Sequence, residues 1–98
     1  MGSKMTDEEK TVFVGQKKLA NYINAVLTQF EQEEHDEIFI KARGRTNIGK
    51  AVDLAEIAKN RYEADIAKIE TETNEFTDDE GEERKVSGIE IKLEKKKK

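Results

Sequence analysis

Lys41, Arg43 and Arg45 occupy alternate positions of the run Lys41-Ala42-Arg43-Gly44-Arg45, and a second pair of cations, Lys17-Lys18, stands just after Gly15. Side chains of these types hold anions. A guanidinium is a planar fork of donors that grips two oxygens of one phosphate, whereas an ammonium acts as a point charge. Gly15 and Gly44 let the backbone approach such a ligand, since they carry no side chain and tolerate positive φ. The pattern therefore reads as a place that binds phosphates. Acid–base or metal chemistry lacks its parts: there is no cysteine, and the single histidine, His35, sits in an acidic linker with no second ligand at metal spacing. His35 reads as a surface residue. The run Asp78-Asp79-Glu80-Gly81-Glu82-Glu83 lacks the alternating ligands of a calcium loop and reads as a solvated turn. No catalytic residue, metal or cofactor is expected.

The elements that position these cations follow from periodicity. Thr11-Val12-Phe13-Val14 is a short strand stopped by Gly15, and Leu19, Tyr22, Ile23, Val26, Leu27 and Phe30 then recur at helical spacing. Glu37 to Arg43 alternates with a period of two, which puts Ile38, Ile40 and Ala42 on a face that meets helices and Phe39, Lys41 and Arg43 on the other. A second helix is expected with Thr46 or Asn47 as N-cap, a buried stripe of Ile48, Ala51, Val52, Ala55, Ala58 and Tyr62, and an end near Tyr62. Ile69 to Thr73 and Ile89 to Leu93 alternate again, joined as a long hairpin by the turn-rich segment Asn74 to Lys85. If the first two strands pair in parallel through a crossover, both strand-to-helix loops leave the same edge of the sheet. Lys17, Lys18, Lys41, Arg43, Arg45 and Lys50 then converge there, beside two helix N-termini that also favour anions. The acidic segments are expected at the opposite edge and at the hairpin tip.

Composition bounds the rest. A chain of 98 residues fits one domain, and folding at that size buries only about two-thirds of the unfolded surface. With 41% charged and 35% hydrophobic residues, four phenylalanines, two tyrosines and no tryptophan, the core is thin and oligomerisation is expected. A net charge of -4 argues against a polycation that coats nucleic acid by bulk charge, so placement of charge matters more than its sum. No apolar run approaches the ~20 residues of a membrane span, and no secretory signal is recognisable, so the chain reads as cytoplasmic. Residues 1–10 are expected to be a disordered amino terminus in which Met1-Gly2-Ser3-Lys4 is an expression scar before a natural start at Met5. Residues 11–94 form the domain, and 95–98 a basic tail.

Val14-Gly15-Gln16-Lys17, Asn21-Tyr22, Ile40-Lys41-Ala42-Arg43-Gly44-Arg45, Lys50-Ala51-Val52-Asp53, Glu56-Ile57, Asn60-Arg61-Tyr62 and Val86-Ser87-Gly88-Ile89-Glu90-Ile91 together resemble the Alba family. These are small archaeal nucleic-acid-binding chromatin proteins, with relatives that bind RNA. The resemblance covers Val12 to Leu93 and implies an α/β (α+β) two-layer sandwich of order β-α-β-α-β-β. Its four-stranded mixed sheet carries two helices on one face, and the last two strands form a long hairpin arm. It further implies a homodimer, able to associate along DNA or RNA, that binds the backbone largely without sequence readout at the nucleoid or chromosome. A heterodimer with a second family member is left open. The implied nucleic-acid-binding residues are Gln16, Lys17, Lys18, Lys41, Arg43, Gly44, Arg45 and Lys50, with Arg84 and Lys85 on the arm. By residue pattern Tyr62 is core; by resemblance it shares a dimer–dimer interface with Asn60 and Arg61.

Three departures bear on affinity. A lysine pair follows the first strand in the family, its first member acetylated in some relatives; Gln16 and Lys17 match it here, so one charge is missing, and Lys18 is placed to restore it. Thr46 to Lys50 is one residue longer than the common pattern, which displaces Lys50. The acidic hairpin tip would be repelled by phosphates before Arg84 and Lys85 reached them. That tip supports an alternative reading: a protein-interaction or assembly module that keeps the fold with weak or no nucleic-acid binding.

Overall fold

Alternate residues of the second strand, Ile38, Ile40 and Ala42, are all buried, as the period-two pattern requires of a sheet covered by helices on one face only. The computed structural model describes residues 10–32 and 35–96; the expectations for residues 1–9 and for Lys97-Lys98 lie outside the described residues. The elements run β1 (Thr11–Val14), α1 (Leu19–Leu27), β2 (Glu37–Arg43), α2 (Arg45–Arg61), β3 (Ala64–Thr77) and β4 (Glu83–Lys95). One four-stranded mixed sheet has the order β1-β2-β4-β3. β1 and β2 pair in parallel, while β4 runs antiparallel to both β2 and β3. The core lies between this sheet and the helices, with Val26, Phe30, Ile38, Ile40, Leu54, Ile91 and Leu93 at its centre.

Several local expectations are corrected. The expected stripe of α2 included Val52, which is 43% exposed, whereas Leu54 is buried to 1%. The buried set Ala51, Leu54, Ala55 and Ala58 follows the i, i+3, i+4, i+7 spacing of one helical face, rolled slightly from the expected one. The N-cap of α2 is Gly44 rather than Thr46 or Asn47. At φ 89° and ψ 151° it adopts a conformation that is nearly glycine-only, and this lets the chain turn from β2 straight into the helix. After Leu27 the first helix widens into a π-helical turn, Thr28–Gln32, which still buries Phe30.

His35, expected at the surface, is buried to 8%. Its backbone N–H donates to Gln29 O at 3.0 Å, so it closes the return from the helix to β2 rather than lying in a solvated linker. The hairpin strands are also longer than their alternating cores. Asn74 to Thr77 and Glu83 to Lys85, taken as turn, are paired strand, and the turn proper is residues 78–82. At the other end β4 reaches Lys95, whose N–H donates to Asp36 O at 2.8 Å, and Lys96 N–H donates to Glu63 O at 2.9 Å. The first two residues of the basic tail are therefore tied to the body.

Candidate nucleic-acid interface

Parallel pairing of β1 with β2 puts Val14 opposite Ala42, so the loops that follow the two strands leave the same end of the sheet. Gln16 from the first loop and Arg43, Gly44, Arg45, Thr46, Asn47 and Lys50 from the second line one open cleft of about 430 Å³. Its floor is the start of α2. No side chain caps that helix and its first turn holds no acidic residue, so its free N–H groups and the positive end of its dipole face the cleft. Asn47, a residue type that favours capping, donates from Nδ2 to Arg43 O at 3.0 Å instead.

The expected site residues fall into five groups. Gln16, Arg43, Gly44, Arg45 and Lys50 share the cleft. Lys17 and Lys18 are exposed beside it, in the loop before α1. Lys41 stands one step back on the sheet's uncovered face, level with Phe13 and Glu90, where with Arg43 it lines a separate, larger hollow. Arg84 and Lys85 lie on the hairpin arm. Asn60 and Arg61 line a shallow depression with Glu56 and Ile57 at the opposite end of α2, and Tyr62 caps that helix, half-buried against the core.

Charge pairing separates these groups more sharply than position does. Among the described residues, no ion pair involves Lys17, Lys18, Lys41, Arg43, Arg45 or Lys50. Arg84, in contrast, is held by Asp78 at 2.7 Å and lies 3.9 Å from Glu82, and Lys85 lies 4.0 Å from Glu75. Apart from Lys50, the cations of the former set stand next to free helix N–H groups and can take phosphate oxygens without first breaking an ion pair.

Two side chains act on the site in ways that periodicity conceals. Lys50 directs its ammonium into the loop after β1, donating to Gly15 O at 2.7 Å and Lys17 O at 3.0 Å. Tyr22, read from its spacing as helix core, accepts at its hydroxyl oxygen from Gly15 N–H at 2.8 Å and Lys17 N–H at 3.1 Å. The available signal was a phenol in a buried stripe, because a buried tyrosine hydroxyl needs a polar partner. Among the described residues no group of three or more His, Cys, Asp or Glu is placed to hold a metal ion. No described helix is long and apolar enough to cross a membrane.

Comparison with known proteins is consistent across three routes. The family model described as Alba matches residues 10–75. The DNA/RNA-binding protein Alba of Nanoarchaeum equitans is 47% identical over 89 residues, spanning 87% of this chain and 97% of that protein. The DNA/RNA-binding protein Alba 1 of Archaeoglobus fulgidus is 46% identical over 90% of this chain and 98% of its own length. Among solved structures, Alba from Thermoplasma volcanium superposes with a TM-score of 0.77 at 41% identity, covering 87% of this chain and 99% of that one.

Proposed function

The chain belongs to the Alba family, and from that premise we propose that it is an architectural protein that binds the backbone of DNA, RNA or both, acting as a homodimer and largely without sequence readout. The observation that carries this reading is the set of cations, in no ion pair among the described residues, gathered around the bare N-terminus of α2. Arg43 and Arg45 grip phosphate oxygens, the free N–H groups of α2 add a preorganised partial positive charge, and Lys17 and Lys18 supply point charges from the adjoining loop. Contacts of this kind fix orientation and affinity while carrying no sequence information. The reading requires no catalytic step. Asn60, Arg61 and Tyr62, at the far end of α2, are available for contacts between dimers bound side by side. Both ends of the assembly suit a protein resident on the chromosome.

The alternative, a module that keeps the fold without nucleic acid, gains no support from relatives described as DNA/RNA-binding proteins. A salt titration on mixed-sequence duplex DNA, duplex RNA and single strands tests the choice. If each protomer engages about three phosphates, log affinity on duplex DNA falls against log salt with a slope of roughly -5, from about -0.9 per contact. Absence of any retardation at low salt would overturn the reading.

A further inference from the structure

The loop between β1 and α1 is held from both sides by residues outside it. On one side the hydroxyl of Tyr22, a residue only 7% exposed, accepts from the N–H groups of Gly15 and Lys17. On the other, the Lys50 ammonium reaches across from α2 to the carbonyl oxygens of the same two residues. All four backbone polar groups of Gly15 and Lys17 are therefore occupied, while Gln16 between them remains exposed at the cleft.

We propose that Tyr22 and Lys50 are positioning residues: together they clamp the Gly15–Lys18 loop in the form that presents Gln16, Lys17 and Lys18 to the nucleic-acid backbone. Lys50 then works as a strut rather than as a phosphate ligand, since two of its three N–H donors are committed to the loop. A loop already held in its binding form loses little conformational freedom on association, so the clamp raises affinity without adding a phosphate contact. This inference rests on the backbone-binding reading above. It differs from it in one measurable way, because removing a strut weakens binding at constant salt slope, whereas removing a phosphate ligand lowers the slope by about one unit.

The test uses the full chain with Tyr22→Phe, which deletes one oxygen and keeps the ring, and Lys50→Met, which keeps the stem and deletes the ammonium. Amide hydrogen exchange without nucleic acid reads the clamp directly, and a salt titration on a mixed-sequence DNA duplex reads its consequence. Both variants are expected to exchange faster at the Gly15 and Lys17 amides and to bind about three- to tenfold more weakly, the range set by one or two net hydrogen bonds, with the wild-type slope. Unchanged exchange, or faster exchange with unchanged affinity, overturns the clamp. A slope lower by about one unit for Lys50→Met overturns its role as a strut. Failure of wild-type protein to bind at all would instead count against the proposed function, while the exchange measurement would still judge the clamp.

Discussion

The cleft at the start of α2 and the hairpin arm leave the same end of the sheet with opposite electrostatics. Arg43 pairs with Gly88 in the β2–β4 register, and Gly44 N–H donates to Ser87 O at 2.9 Å, whereas β4 begins at Glu83. The arm therefore overshoots β2 by five residues, about 17 Å at ~3.4 Å per residue. Around the cleft, no cation is in an ion pair among the described residues, although Glu70, Glu72 and Glu90 line the hollow shared by Lys41 and Arg43; on the arm, Arg84 and Lys85 are matched by Asp78, Glu82 and Glu75. With a Debye length of about 8 Å at physiological ionic strength, charges that far apart scarcely see one another. The difference teaches that the chain's net charge of -4 is no guide to its partner. Part of its acidic surplus lies at the arm's tip, Asp78 to Glu83, away from the cleft.

The largest effect is expected at the centre of the cationic region. Arg43→Ala removes a guanidinium that is in no ion pair among the described residues, and a hydrogen bond to a charged group contributes about 1.5–3 kcal/mol, tenfold or more in Kd. Binding should weaken alike for all sequences and the salt slope should become shallower, since a phosphate contact positions without reading bases. A titration in which Arg43→Ala matches wild type in both affinity and slope would remove the site. The same substitution on the arm, Arg84→Ala, makes the contrast explicit, because Arg84 must leave Asp78 before it can meet a phosphate.

A smaller effect is expected from adding charge where the cleft lacks it. Gln16 lies between the two clamped residues and lines the cleft without a charge of its own. Gln16→Lys should tighten binding a few-fold and steepen the slope by up to about one unit. An unchanged slope would place position 16 off the phosphate path and leave the edge to Arg43, Arg45 and the lysines beside them.

What was legible in the sequence follows the same division. The parallel β1–β2 pair and the shared edge were readable because Val12, Val14, Ile38, Ile40 and Ala42 bury alternate side chains, and a half-buried strand displays its period. Most of the arm was not, since its residues are exposed on both faces and leave no apolar alternation between Asn74 and Lys85 to distinguish strand from turn. Val52 and Leu54 were exchanged because periodicity limits a helix to a sector, while the roll within that sector is set by packing on the sheet. Gly44 as N-cap was hidden by Thr46 and Asn47, better capping types that lie inside the helix once the glycine has made the turn. His35 was misplaced by its acidic neighbours, whose charge says nothing about a backbone closing onto Gln29. The clamp was least visible of all, for it depends on a phenol oxygen from α1 and an ammonium from α2 meeting the backbone of the same two loop residues.

The smallest expected effect concerns the arm's own neutralisation. Asp78 Oδ1 accepts from the N–H groups of Glu80 and Glu82, both at 2.9 Å, and Oδ2 accepts from Arg84 Nε at 2.7 Å. The Arg84 guanidinium, helped by the Glu82 and Glu80 N–H groups, holds the Asp78 carboxyl below its ordinary range. A lowered folded-state pKa means that this contribution to turn order is complete above the unfolded value of about 3.9 and is lost as pH falls through the folded value. Acidification below about pH 4 should therefore move the Glu80 and Glu82 amide resonances toward those of an open turn, while near-neutral changes leave them fixed. Asp78→Asn reproduces the loss of charge at neutral pH. It frees Arg84 and makes each arm one unit less negative, so binding should tighten slightly, by less than Gln16→Lys achieves, because the arm's other carboxylates remain. Weaker binding by Asp78→Asn would reverse the comparison. It would mean that the ordered turn itself, rather than a released Arg84, is the part of the arm that meets the nucleic acid.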